Sequence, residues 1–214
     1  MYRIQLQHKD FMVINKRPGI GMHDDAGEPG LVNRVRMDTG LDLYPVHRLD
    51  KMTSGLVLLA RTAEANRALS MAFAAREVSK QYLALSDRKP KKKQGWVKGD
   101  MEKGRGGSWM LSRTQDNPAI SWFDSVSVRE GLRLYRIKPR TGKTHQIRVA
   151  LKSVGAPILG DERYGGTAAD RGYLHAWRLA FTLAGESFDL VCPPDEGALF
   201  LLPELHAAIA EISE

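Results

Sequence analysis

Short apolar runs, each closed by glycine, proline or charge, set the layout of this chain. Phe11-Met12-Val13-Ile14-Asn15 reads as a buried strand ended by the turn Lys16-Arg17-Pro18-Gly19. Leu31 to Met37 is weakly helical. Val46 to Leu49 and Leu56 to Ala60 are predicted as strands on either side of the Asp50 segment, with Thr53-Ser54-Gly55 as the turn. Thr62 is a good N-cap, with Glu64 in the first turn where the helix dipole favours an acid. Ala65, Leu69, Ala72 and Phe73 then recur at helical spacing and give that helix its core face. Ser79 to Ser86 alternates like a strand. Ser121 to Val128 and Leu132 to Lys138 predict a hairpin closed around Glu130-Gly131. A helix is expected over Thr144 to Val154, capped by Thr144 and stopped by Gly155. Arg178 to Leu183 and Ser187 to Val191 form another strand pair around Gly185, and Pro203 to Ile212 a closing helix with Pro in its first turn. Strand pairs outnumber strand–helix–strand alternations. The fold class expected is α+β, a largely antiparallel mixed sheet flanked by helices, not a doubly wound nucleotide fold.

Composition narrows this further. The 214 residues suit one domain, or one domain with two lobes, and 43% hydrophobic residues allow a sizeable core. No apolar run reaches membrane-spanning length, and the N-terminus lacks a positive-then-apolar signal pattern, so a cytoplasmic protein is expected. The single cysteine, Cys192, excludes an internal disulfide and a thiol-based zinc cluster. The net charge of +7 points to a polyanionic partner, nucleic acid first. The excess is local: Arg88 to Arg105 holds eight Lys or Arg against two acids. That stretch, with Lys91, Lys92 and Lys93 at its centre, reads as a basic loop insertion at about 87–107 able to contact phosphates.

Three segments carry candidate chemistry. His47-Arg48-Leu49-Asp50 precedes a turn and a buried strand. An Asp held there by the sheet behind it suits a carboxylate nucleophile or base. In Arg140-Thr141-Gly142-Lys143-Thr144-His145-Gln146-Ile147-Arg148, Arg140 and Lys143 flank a helix start and would make an anion site with its N–H groups. Ile147, Leu151 and Val154 form the buried stripe of that helix. Arg148 lies beside the stripe, as either a surface residue with a packed stem or a partly buried cation in need of an acid. In Ser79-Lys80-Gln81-Tyr82, spacing alone makes Tyr82 a core aromatic.

His47-Arg48-Leu49-Asp50-x-x-Thr53-Ser54-Gly55, Lys80-x-Tyr82, and Thr141 to Arg148, in that order, resemble the RluA family of RNA pseudouridine synthases. So do the opening Phe11 to Gly19 with His23, and Pro157-Ile158-Leu159-Gly160-Asp161-x-x-Tyr164-Gly165. The resemblance covers about residues 4 to 183. It implies the catalytic-domain fold of that family and isomerisation of uridine to pseudouridine in RNA, with no cofactor and no metal. The catalytic aspartate falls on Asp50, the active-site tyrosine on Tyr82, and the basic residue that pairs with the aspartate on Arg148. The arginine that helps displace the target base falls on Arg48. His47, Thr53 and Ile147, from the same motifs, are expected on the substrate side with Arg140 and Lys143.

Lys143 stands where many members have Arg, which keeps the charge and loses the two-pronged fork. Many members also carry a small N-terminal RNA-binding domain. Here a single catalytic domain over 1–214 is expected, acting as a monomer without an obligate protein partner or a membrane. Recognition of its tRNA or rRNA would then fall to this domain and its basic insertion. The alternative is a catalytically silent RNA-binding or RNA-chaperone protein on the same fold. Its weakness is that it gives Asp50, Tyr82 and Arg148 no task. A metallonuclease or glycosidase is disfavoured, because the acids are dispersed and none pairs with Asp50 in sequence.

Overall fold

The computed structural model describes residues 1–213. In chain order the elements are β1 (Tyr2–Gln7), β2 (Phe11–Lys16), α1 (Leu31–Thr39), β3 (Tyr44–Pro45), β4 (Ser54–Ala60), α2 (Ala63–Ala74), β5 (Ser79–Ser86), β6 (Gln94–Gly99), β7 (Met101–Lys103), β8 (Trp109–Leu111), β9 (Ala119–Arg129), β10 (Leu132–Pro139), α3 (Gln146–Ser153), β11 (Leu174–Leu183), β12 (Glu186–Val191) and α4 (Pro203–Ser213). They build two compact units. One is Met1–Lys80 with His175–Pro194; the other is Gln81–Leu174 with the segment from Asp195 onward. The class is α+β, as the excess of strand pairs implied.

In the first unit every residue of β2 and of β4 is buried, which is why both read as unbroken apolar runs rather than alternating ones. β2 pairs antiparallel with β1 and with β4. β4 also pairs with the short β3, and its first residues run parallel to β11, which continues into β12 as a hairpin. Phe11, Val13, Leu56, Leu58, Leu69 and Phe181 share one core, with the Phe11 and Phe181 rings edge to face at 5.2 Å. Thr62 caps α2 as expected, its Oγ1 accepting from Ala65 N at 3.0 Å. β1 had no sequence signal: it is an outer strand whose residues are exposed or only partly buried, so no apolar run marks it.

In the second unit β5, β10, β9 and β6 make an antiparallel sheet in that order, and β7 and β8 a separate ribbon. Gly131, at φ 69°, takes the left-handed conformation that the β9–β10 turn needs. α4 packs on β9 and β10, and α3 on β8 and β9.

Three local expectations are corrected. Val46 to Leu49 is not a strand: the extended pair is Tyr44–Pro45, and the ladder stops where Pro45 has no N–H to continue it. The stretch at 87–107 is not a loop insertion beyond residue 93; it holds β6 and β7. The lysines around it masked the alternation of β6, in which Trp96 and Lys98 are exposed and Val97 is buried. Thr144 does not cap α3. His145 sits at the N-cap with φ 57° and no side chain caps the helix; Gln146 instead ties down the preceding turn, its Oε1 accepting from Lys143 N at 2.9 Å and from Thr141 Oγ1 at 2.7 Å.

Candidate active site

Asp50 lies in the turn that feeds β4, partly buried, with its carbonyl accepting from Thr53 N at 3.0 Å. Two devices fix this turn. Lys16 at the end of β2 is fully buried, and its Nζ donates to the carbonyls of Arg17 (3.0 Å), Ile20 (2.8 Å) and Lys51 (3.2 Å). The Lys51 carbonyl also accepts from Gly19 N at 2.8 Å. One ammonium therefore ties the loop after β2 to the residue that follows Asp50. At the other end, Gly55 has φ +107°, and a Cβ there would stand 2.3 Å from the Ala176 carbonyl of β11. Only glycine allows that approach.

Behind the turn, Ser54 Oγ lies 2.7 Å from His175 Nδ1, and His175 Nε2 lies 2.7 Å from the Cys192 carbonyl. A carbonyl only accepts, so Nε2 carries the proton and Nδ1 accepts from the serine hydroxyl. His175 is fully buried and takes part as a fixed structural strut.

His47 is committed to the fold. Its Nε2 accepts from Leu58 N at 3.0 Å, and its ring stacks on Phe73 at 4.9 Å. Burial, with the Lys80 charge adding to it, pushes the imidazolium down to about 3 from the ordinary 6.5. The neutral ring is the form the fold holds. A depressed folded pKa means that its stabilisation is complete above about pH 6.5 and is lost as pH falls toward about 3. His47→Gln, which keeps an acceptor without a titration, is expected to flatten the loss of urea midpoint between neutral and mildly acidic buffer. An equal loss in both proteins would assign the acid sensitivity elsewhere.

In the second unit, Arg148 is a buried cation with an acid, the second of the two roles open to it from spacing. Its Nε and Nη2 grip the Asp161 carboxylate at 2.7 and 2.8 Å, and the two side chains are 8% and 1% exposed. The guanidinium also lies 4.9 Å from the centre of the Tyr164 ring. The Tyr164 hydroxyl lies 2.7 Å from His145 Nδ1 and accepts from Trp109 N at 2.9 Å. Asp161 is delivered by Gly160 at φ +76°, where a Cβ would collide with the Arg171 carbonyl. Tyr82 sits on β5 opposite Ile137 and is 9% exposed.

A family model for RNA pseudouridylate synthase matches residues 10–153. The chain belongs to the RNA pseudouridylate synthase family. All three segments singled out above fall inside that span. The chain is 48% identical over 206 residues to an RNA pseudouridine synthase of Haemophilus influenzae, covering 95% of this chain and 92% of that one. It is 41% identical over 130 residues to the ribosomal large subunit pseudouridine synthase C of Rickettsia bellii, spanning 59% of this chain but only 43% of that enzyme. The fold matches human RNA pseudouridylate synthase domain containing 4, with a TM-score of 0.75 at 25% identity over 95% of this chain and 93% of that one. The reaction class is therefore isomerisation of uridine in RNA to pseudouridine.

Within this synthase the expected site residues divide by unit and by exposure. His47, Arg48, Asp50 and Thr53 share the first unit; Tyr82, Lys91, Lys92, Lys93, Arg140, Lys143, Ile147 and Arg148 share the second. Arg48, Arg140 and Lys91 to Lys93 are exposed. Thr53 and Ile147 are buried, at 2% and 8% exposure. Lys143 is partly held by Asn117, its Nζ donating to Oδ1 at 2.8 Å. Residue-by-residue reading missed Lys16, His175 and Asp161. Lys16 and Asp161 did have a signal: a lysine closing an all-apolar strand, and an acid in the Pro157 to Gly165 motif already matched to the family.

Proposed function

We propose that the synthase modifies uridine in structured tRNA or rRNA, with Asp50 as the catalytic carboxylate and Arg48 helping to displace the target base. Tyr82 stacks on the uracil, and Arg148, held by Asp161, is the basic member of the catalytic set. The observation that supports this most is the bracing of the Asp50 turn. The buried Lys16 ammonium, the Thr53 N–H and the Gly55 contact all act within a few residues of one carboxylate.

The chemistry balances without an external reagent. The bond from uracil N1 to the sugar breaks, the base turns in place, and carbon 5 bonds to the sugar carbon. The proton on carbon 5 leaves and N1 gains one. Asp50 either attacks the sugar carbon or removes a neighbouring proton; both need it charged. The target must leave its stack, and the exposed Arg48, two residues before Asp50, suits the gap it leaves.

Tritium release from unmodified tRNA and rRNA transcripts labelled at carbon 5 of uridine, in chelator, tests the reading. Release from one pool names the substrate class. Release from neither pool, with RNA binding intact, would leave the binding-protein alternative. In the same assay Tyr82→Phe is expected to lose most of its rate, roughly tenfold to a hundredfold, because the hydroxyl helps move the carbon 5 proton. An undiminished rate would restrict Tyr82 to stacking.

A further inference from the structure

One face of the second unit's sheet carries aromatic and cationic side chains that the catalytic proposal does not use. Trp96 on β6 stands directly across from Trp122 on β9, and Trp122 directly across from Lys138 on β10. Residues paired this way present their side chains on one face of the sheet. Trp96 is 52% exposed, a large fraction for an indole on a strand. Lys98 Nζ lies 5.2 Å from the Trp96 ring centre, and Lys138 Nζ 5.2 Å from that of Trp122. Asp124, an acid on this face, is bound by Arg136 through Nε at 3.1 Å and Nη2 at 2.6 Å. Around Trp96 and Trp122 this face thus sets cations beside apolar rings. A protein partner would cover the indoles equally well, but the cations beside both rings favour a polyanion with flat apolar parts.

We propose that Trp96, Trp122, Lys98 and Lys138 form a stacking platform for unpaired nucleotides of the RNA, separate from the catalytic residues. The proposal rests on RNA being the substrate. Bases stack on the indoles without sequence preference, and the lysines meet the phosphates. It gives recognition a place on the ordered strand β6 rather than on a loose basic arm.

A short fluorescein-labelled oligoadenylate tests it, because it holds no uridine and cannot be turned over. Fluorescence anisotropy with the whole chain is expected to show salt-sensitive binding. Trp96→Ala should weaken that binding roughly tenfold, since loss of one stacked base is worth about that much. Trp96→Phe should keep most of it, and Asp50→Asn all of it. A blunt RNA duplex should compete poorly, its bases being already stacked. Oligoadenylate that fails to bind, or binds Trp96→Ala as tightly as the parent, would overturn the platform. So would a loss of binding in Asp50→Asn. None of these outcomes depends on turnover, so failure of the platform and failure of the pseudouridine reading are separate results.

Discussion

Asp50→Asn is expected to lower tritium release by roughly a thousandfold or more while RNA affinity stays near that of the parent. The substitution is nearly isosteric. It removes a charge but leaves the backbone hydrogen bond to Thr53 N and the Lys16 contacts with the following carbonyl, because those use main-chain atoms. The main-chain contacts of the turn should therefore persist. An amide can neither attack the sugar carbon effectively nor take up a proton at neutral pH. Whichever role the carboxylate has, the step fails. Residual turnover near the parent rate, in a protein that binds RNA normally, would remove Asp50 from the chemistry.

Asp161→Ala is expected to be the most destabilising single change in the second unit. It leaves the Arg148 guanidinium buried without the carboxylate that both its Nε and Nη2 address. Breaking a buried pair from one side costs about 3–5 kcal/mol, which for a chain of this size is a fall in melting temperature of roughly 6–20 °C. The double variant Asp161→Leu with Arg148→Met separates pairing from packing. Replacing both members by apolar residues of similar size should restore much of the urea midpoint. The restored protein should still be inactive if Arg148 serves the reaction as well as the fold. A double variant no more stable than Asp161→Ala would show that the cost lies in packing around Tyr164 and Gly160 rather than in the ion pair.

The sequence by itself determined the elements whose periodicity is local. β2 and β4 are legible because burial on both faces makes them continuous apolar runs. α2 is legible from Thr62, Glu64 and its four-residue apolar spacing. The β9–β10 and β11–β12 hairpins follow from Gly131 and Gly185 between alternating runs. The order of the motifs was enough to reach the family and the reaction.

What the tertiary structure decided is which side chains are used up by the fold and which face outward. Arg148 was open between surface and core because a helix shows its stripe but not what closes over it. Its acid arrives from a turn thirteen residues later, held by Gly160 against Arg171. His47 was expected on the substrate side because it belongs to the motif shared with the family. Its stacking on Phe73 and its hydrogen bond from the Leu58 N–H depend on pairing over distance. Lysines between 87 and 107 hid two strands, since net charge says nothing of which face a side chain takes once a neighbouring strand pairs with it. Pattern fixes an element when its information lies within a few residues. Partners, burial of charge and exposure of Trp96 are set only when distant segments close on each other.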